Sequence, residues 1–144
     1  MTILAAGRPF WPLFLHVLGA MTLFGATLSA TVLAAAAWRR PAPALARGTF
    51  LSLLVVALPA WVVLRIGAGF LASDEGYDKG TDPGWLNLGA IIGDAGLILL
   101  LVITAGAFWW SRGGRALIGR IVAGLSGVYL ALLCVAWLAM STKW

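Results

Sequence analysis

Three observations predict an all-α fold, a bundle of four transmembrane helices running up-down-up-down with short loops. Hydrophobic residues make up 62% of the chain and charged residues 10%, whereas soluble domains carry roughly 25% charged residues. The mean hydropathy is +0.98. The apolar residues gather into four runs, at 10–38, 49–72, 85–110 and 117–140, each long enough to cross a hydrocarbon core of ~30 Å at ~1.5 Å per residue. The chain therefore reads as one integral membrane domain, 1–144, with no room for a separate soluble one.

Each span has its own boundaries. Arg8 precedes the first run, as in a cleavable leader, but the run is about twice the ~7–15-residue core of such a leader and is expected to be a retained span. Arg39-Arg40-Pro41-Ala42-Pro43 closes it, because proline cannot continue the helical hydrogen-bond ladder. The second run contains Pro59, which predicts a kink that frees backbone groups just below Arg65. Ser73 to Gly84 holds four of the five acids, Asp74, Glu75, Asp78 and Asp82. It lacks the ligand spacing and terminal glutamate of an EF-hand and reads as a solvated turn. The third run ends at Ser111-Arg112-Gly113-Gly114-Arg115. The fourth carries Cys134, the single cysteine, which has no disulfide or metal-site partner and reads as a packing residue.

Basic residues predict the orientation. Arg39, Arg40, Arg47, Arg112, Arg115 and Arg120 flank the first and third connections, while Arg8, Lys79 and Lys143 lie on the opposite side. Loops 39–48 and 111–116 are therefore expected in the cytoplasm and both termini outside, in a multi-pass inner-membrane protein. The net charge of +5 is mostly this topology signal together with lipid headgroup contact. No basic patch exists apart from these arginines, so nucleic acid is not an expected partner.

Three ionisable residues fall inside spans: His16, Arg65 and Asp94. Counting helical rise from the nearest boundary puts all three ~12–14 Å below the outer surface. A charge at membrane depth costs roughly 3 kcal/mol or more and marks a functional site by default. Arg65 and Asp94 have opposite charges at matched depth on adjacent spans, which predicts a buried ion pair. The alternative for Arg65 is snorkelling toward the headgroups. Trp61, one turn below Arg65, can stack on it. Asn87 extends this polar layer outward. His16 shares its face with Gly19, Ala20, Leu23, Thr27, Ala30, Thr31 and Ala34, a mostly small or hydroxylated stripe expected to face other helices. Gly89-x-x-x-Gly93, Ala123-x-x-x-Gly127 and Ala26-x-x-x-Ala30-x-x-x-Ala34 have the spacing of close helix contacts.

Leu15-His16-Val17-Leu18-Gly19, together with Leu64-Arg65-Ile66-Gly67-Ala68 and the stretch from Asp82-Pro83-Gly84-Trp85 through Asp94, resembles small bacterial four-helix membrane proteins of unknown function. The opening is also similar to that of copper-resistance-D-like proteins, a group suspected of binding haem. This second resemblance implies haem b with His16 as an axial ligand. Haem-binding relatives usually offer a second histidine, and His16 is the only one here. Methionine can serve instead, which makes Met21 and Met140 candidate second ligands.

Three kinds of function follow. One is a non-enzymatic accessory subunit or oligomeric component of a bacterial membrane complex, held together by the layer of His16, Arg65, Asp94, Asn87 and Trp61 and contacting other membrane subunits or its own copies. Another is electron transfer with haem b or a quinone at His16. A third is proton translocation through the same layer, which needs water or hydroxyls such as Thr27 and Thr31 to continue it inward. No nucleophile elbow, zinc-protease helix or phosphate loop is present, so catalytic residues are not assigned, nor is a metal site.

Overall fold

The computed structural model describes residues 10–76 and 84–142. Five α-helices and one π-helical segment make up the described chain. They are α1 (Phe10–Arg39), α2 (Pro43–Leu51), the π segment (Ser52–Ala57), α3 (Leu58–Glu75), α4 (Gly84–Ser111) and α5 (Ala116–Thr142). Because α2, the π segment and α3 run on without a break, they form a single second span, Pro43–Asp74, and four candidate membrane spans result. The predicted all-helical, four-span architecture is what the chain adopts.

The second span starts earlier than the expected residue 49. Pro43 occupies the first helical turn, where its missing N–H would have had no partner, so the Pro41–Pro43 stretch that ends α1 also starts α2. Residues 43–48, expected in a loop, are thus helical. Pro59 does not act where the kink was expected either. The adjustment lies one turn upstream, in the π segment, where the Leu58 N–H bonds to the Leu53 carbonyl five residues back. Widening this turn lets the helix take a residue that lacks an N–H and crowds the preceding carbonyls. At its other end α3 stops at Gly76, whose φ of 76° is the left-handed conformation glycine adopts without penalty. Ser73, Asp74 and Glu75, expected in the acidic turn, continue α3 as helix, while the rest of that turn, 77–83, and the chain ends 1–9 and 143–144 lie outside the described residues.

Packing is inside out relative to a soluble bundle. The core is built from small residues, among them Ala26, Ala30, Ala34, Ala57, Ala107 and Ala123, around Leu23, Leu53, Leu100 and Ile103. Large apolar side chains such as Phe14, Val32, Ile98, Val102 and Trp137 point outward. A surface this apolar over every helix suits lipid rather than water. The chain has the build of a multi-pass integral membrane protein.

The small-residue stripe of α1 is buried at Gly19, Leu23, Thr27, Ala30 and Ala34, as its spacing predicts. Its closest contact is with α3. A Cβ on Gly19 would come within 2.5 Å of the Leu64 nitrogen, and one on Gly67 within 2.5 Å of the His16 nitrogen. The two backbones therefore touch reciprocally, each glycine receiving the other helix. Trp11 meets Phe70 at one end of this pair, and the Ser52 hydroxyl donates to the Ala26 carbonyl at 3.0 Å nearer the other. Residue numbers fall along one helix as they rise along its neighbour, so α1 and the second span lie antiparallel. α4 and α5 pair likewise, with Gly96 under Tyr129 and Gly106 beside Val122. Of the predicted small-residue pairs, Ala123 is buried, but nothing faces Gly127. Cys134, expected to pack, lies on the exposed side of α5.

Candidate functional site

α1 packs on both α3 and α5, and α5 packs on α4. The fourth side of the square is uneven. α2 lies against α4, with Phe50 and Phe108 ring centroids 5.3 Å apart. α3 meets α4 sparingly, and through side chains: Trp61 Nε1 donates to the Gly93 carbonyl at 2.9 Å, and Arg65 Nη2 to Asp94 Oδ1 at 2.8 Å. Beyond this level, toward the end carrying residue 76, the two helices diverge. A cleft opens between them, with α1 and α5 as its back wall and a cavity of about 310 Å³ inside.

The sequence places side chains in this cleft by simple helical arithmetic. Trp61 and Arg65 are four apart on α3 and share a face, as do Ala68 and Ala72 one and two turns on. Asn87, Ala90 and Gly93 form the facing stripe of α4. His16 reaches the cavity from α1 and Met140 from α5. The Arg65 guanidinium carbon stands 6.0 Å from the centre of the Trp61 ring, the outer limit of a cation–π contact. His16 Nδ1 is 3.4 Å from the Leu64 carbonyl, a long contact made where the two backbones meet.

Arg65 and Asp94 are paired, but the expectation of a buried polar layer is corrected. Their side chains are 37% and 62% exposed. Asn87 is exposed as well, and His16 and Trp61 are only half buried. The reason is the divergence of α3 and α4. A layer on four evenly packed helices would be enclosed, whereas here it lines an opening on one side of the bundle. Arg65 borders the cavity and Asp94 does not, so the ion pair has an inner and an outer member.

The candidate haem ligands are brought together only in part. Met21 is 71% exposed and takes no part in the cavity. Met140 does line it together with His16, its end packed over Gly89. Among the described residues there is also no group of three His, Cys, Asp or Glu side chains that could hold a metal ion.

The hydroxyls invoked for a proton path are turned to their own helices. Thr27 donates to the Leu23 carbonyl and Thr31 to the Thr27 carbonyl, both at 2.8 Å. These bonds satisfy the hydroxyl donors within their own helix. Sequence reasoning missed the roles of Gly67 and of the small residues on α3 facing α4. The signal was present in Gly67-Ala68-Gly69 and Ala72, whose combined faces leave room on two sides of one helix. Comparison with protein-family models, curated proteins and solved structures gives no match.

Proposed function

We propose that this chain is a non-enzymatic integral membrane protein that works as an accessory or oligomeric component of a bacterial membrane complex, and that the α3–α4 side of the bundle is where it is completed. One observation carries the reading: Asp94 is paired with Arg65 yet 62% exposed, within a helix long and apolar enough to span a membrane. Asp94 is ten residues into α4, ~15 Å along its axis, where an exposed carboxylate facing hydrocarbon costs several kcal/mol even with a partner on one side. A second protein surface that offers a donor to Asp94 removes that cost. The Arg-rich end, with the connections 40–42 and 112–115 and the helix ends beside them, faces the cytoplasm of the inner membrane, by the excess of arginine there.

The test is native mass spectrometry of the tagged chain extracted gently from its source membrane. The parent is expected to carry a second protein chain, another subunit or another copy, on its own 15.1 kDa. Asp94→Leu is expected to lose it, and Asp94→Asn to retain a reduced share. A parent that runs as a bare monomer, or a partner held equally by Asp94→Leu, overturns the reading.

A further inference from the structure

The inner member of the ion pair carries a separate consequence, which rests on the reading that the α3–α4 cleft is the working surface. Arg65 donates to Asp94 through Nη2, while Nη1 lies on the cavity side near Gly93. A guanidinium has five N–H donors, so most of its hydrogen-bonding capacity is left for the cavity. His16 supplies a ring nitrogen from the back wall. The site therefore offers donors without net charge, because Asp94 already neutralises Arg65.

Its shape is as specific as its polarity. Ala68 and Gly69 on one helix face Ala90 and Gly93 on the other, so at this level nothing longer than a methyl stands between the two backbones, while Leu86, Asn87 and Met140 border the cavity around them. The result is a slot with apolar walls and polar groups at its floor. At about 310 Å³ it is at the small end of ligand pockets. It suits one ring system, and it opens sideways between α3 and α4, where its lining residues Gly69 and Asn87 are exposed. A molecule reaching it from the bilayer must dissolve in lipid. To use the donors it must carry oxygen acceptors, to enter the slot it must be flat, and to leave the Arg65–Asp94 pair intact it must be uncharged.

We propose that the slot binds the head ring of a lipid-soluble quinone or quinol. Arg65 donates to one ring oxygen, His16 stands within reach of the ring, and the isoprenoid tail lies in the surrounding lipid. A fatty-acid carboxylate or an anionic headgroup would compete with Asp94 for the same guanidinium, which sets these ligands below a neutral ring.

The experiment is a titration of the full chain, in nanodiscs of neutral phosphatidylcholine, with a short-tailed benzoquinone, followed by quenching of tryptophan fluorescence. Saturable quenching is expected, with a dissociation constant that rises at least tenfold in Ala90→Leu, which fills the slot. Gly69→Leu is the second filling variant, because nothing lies within 4 Å of its Cβ and the fold has space for it. Val102→Ala, exposed on α4 and away from the slot, is expected to bind within threefold of the parent. Purely linear quenching by a folded parent overturns the proposal, as does affinity unchanged in both filling variants or stronger displacement by oleate than by a second quinone. Loss of quinone binding in a chain whose partner still depends on Asp94 would remove the slot and leave the assembly reading standing. A partner indifferent to Asp94 alongside quinone binding that tracks the filling variants would do the reverse.

Discussion

At the scale of single residues the most demanding positions are two glycines. Gly19 and Gly67 lie where α1 and α3 touch backbone to backbone, and a Cβ at either would meet main-chain atoms that cannot swing aside. Gly67→Leu should therefore cost roughly 3 kcal/mol or more, the upper range for overpacking, since the obstacle is a helix axis rather than a flexible side chain. Thermal unfolding of the purified protein in detergent checks this: a fall of several degrees is expected for Gly67→Leu and Gly19→Leu. Gly25→Ala, on an α1 face with nothing within 4 Å, is expected to melt within a degree or two of the parent. Equal melting points for all three would contradict the close approach. His16 is tied to the same crossing, because Gly67 sits against its backbone. Its ring is thereby aimed at the cleft by a packing contact and not by any polar partner of strength.

At the scale of elements the second span decides where the opening lies. Its lower part, α2, packs on α4, and its upper part, α3, leans on α1. Between the two is the π segment Ser52–Ala57, in effect one extra residue in a turn of the ladder. One residue corresponds to ~100° of rotation about the axis, so this turn resets which face α3 presents. Deleting Val55, an exposed residue of the segment, should restore a regular α-helix while keeping Gly67 against α1 and Arg65 against Asp94. Deleting Val62, inside α3, should instead rotate those residues out of register. The expected melting temperature is within a few degrees of the parent for the first deletion and far lower for the second. A Val55 deletion as damaging as that of Val62 would mean the π turn is not a removable insertion. Much of this was legible in advance: Pro59 marked an irregularity in the right span. Its position was misjudged because proline disturbs the turn before it, and a chain read only for helix breakers does not say how the preceding carbonyls are rehoused.

At the scale of the whole molecule the four helices bury alanine and glycine and expose leucine, valine and phenylalanine, an arrangement that works only with lipid as the solvent. The Arg-rich connections then become the determinant of orientation. Ser111→Cys in a Cys134→Ala background places a thiol at the start of the α4–α5 turn, in place of an exposed hydroxyl of nearly the same size. In intact cells stripped of their outer barrier, that thiol is expected to resist a membrane-impermeant maleimide until the membrane is opened with detergent. Rapid labelling before permeabilisation would invert the proposed topology.

What the sequence determined by itself was the class of solvent, the number of spans, the α1 stripe and which spans carry the charges. These follow from local quantities: apolar content, run length, helical period and rise per residue are set by the chain without reference to its neighbours. Even the partnership of Arg65 with Asp94 could be read this way, since opposite charges at one depth on adjacent spans have few alternatives. Only the tertiary structure decided that this pair stands at an opening instead of in a core, that Arg65 faces the cavity and Asp94 the outside, and that Met140 reaches the cavity with His16 while Met21 does not. Those depend on how far apart two helices stand at a given height, and that distance comes from the backbone contact at Gly19 and Gly67 drawing α3 toward α1 and away from α4. A sequence records which residues are small; which neighbour each small residue admits is decided when the helices pack.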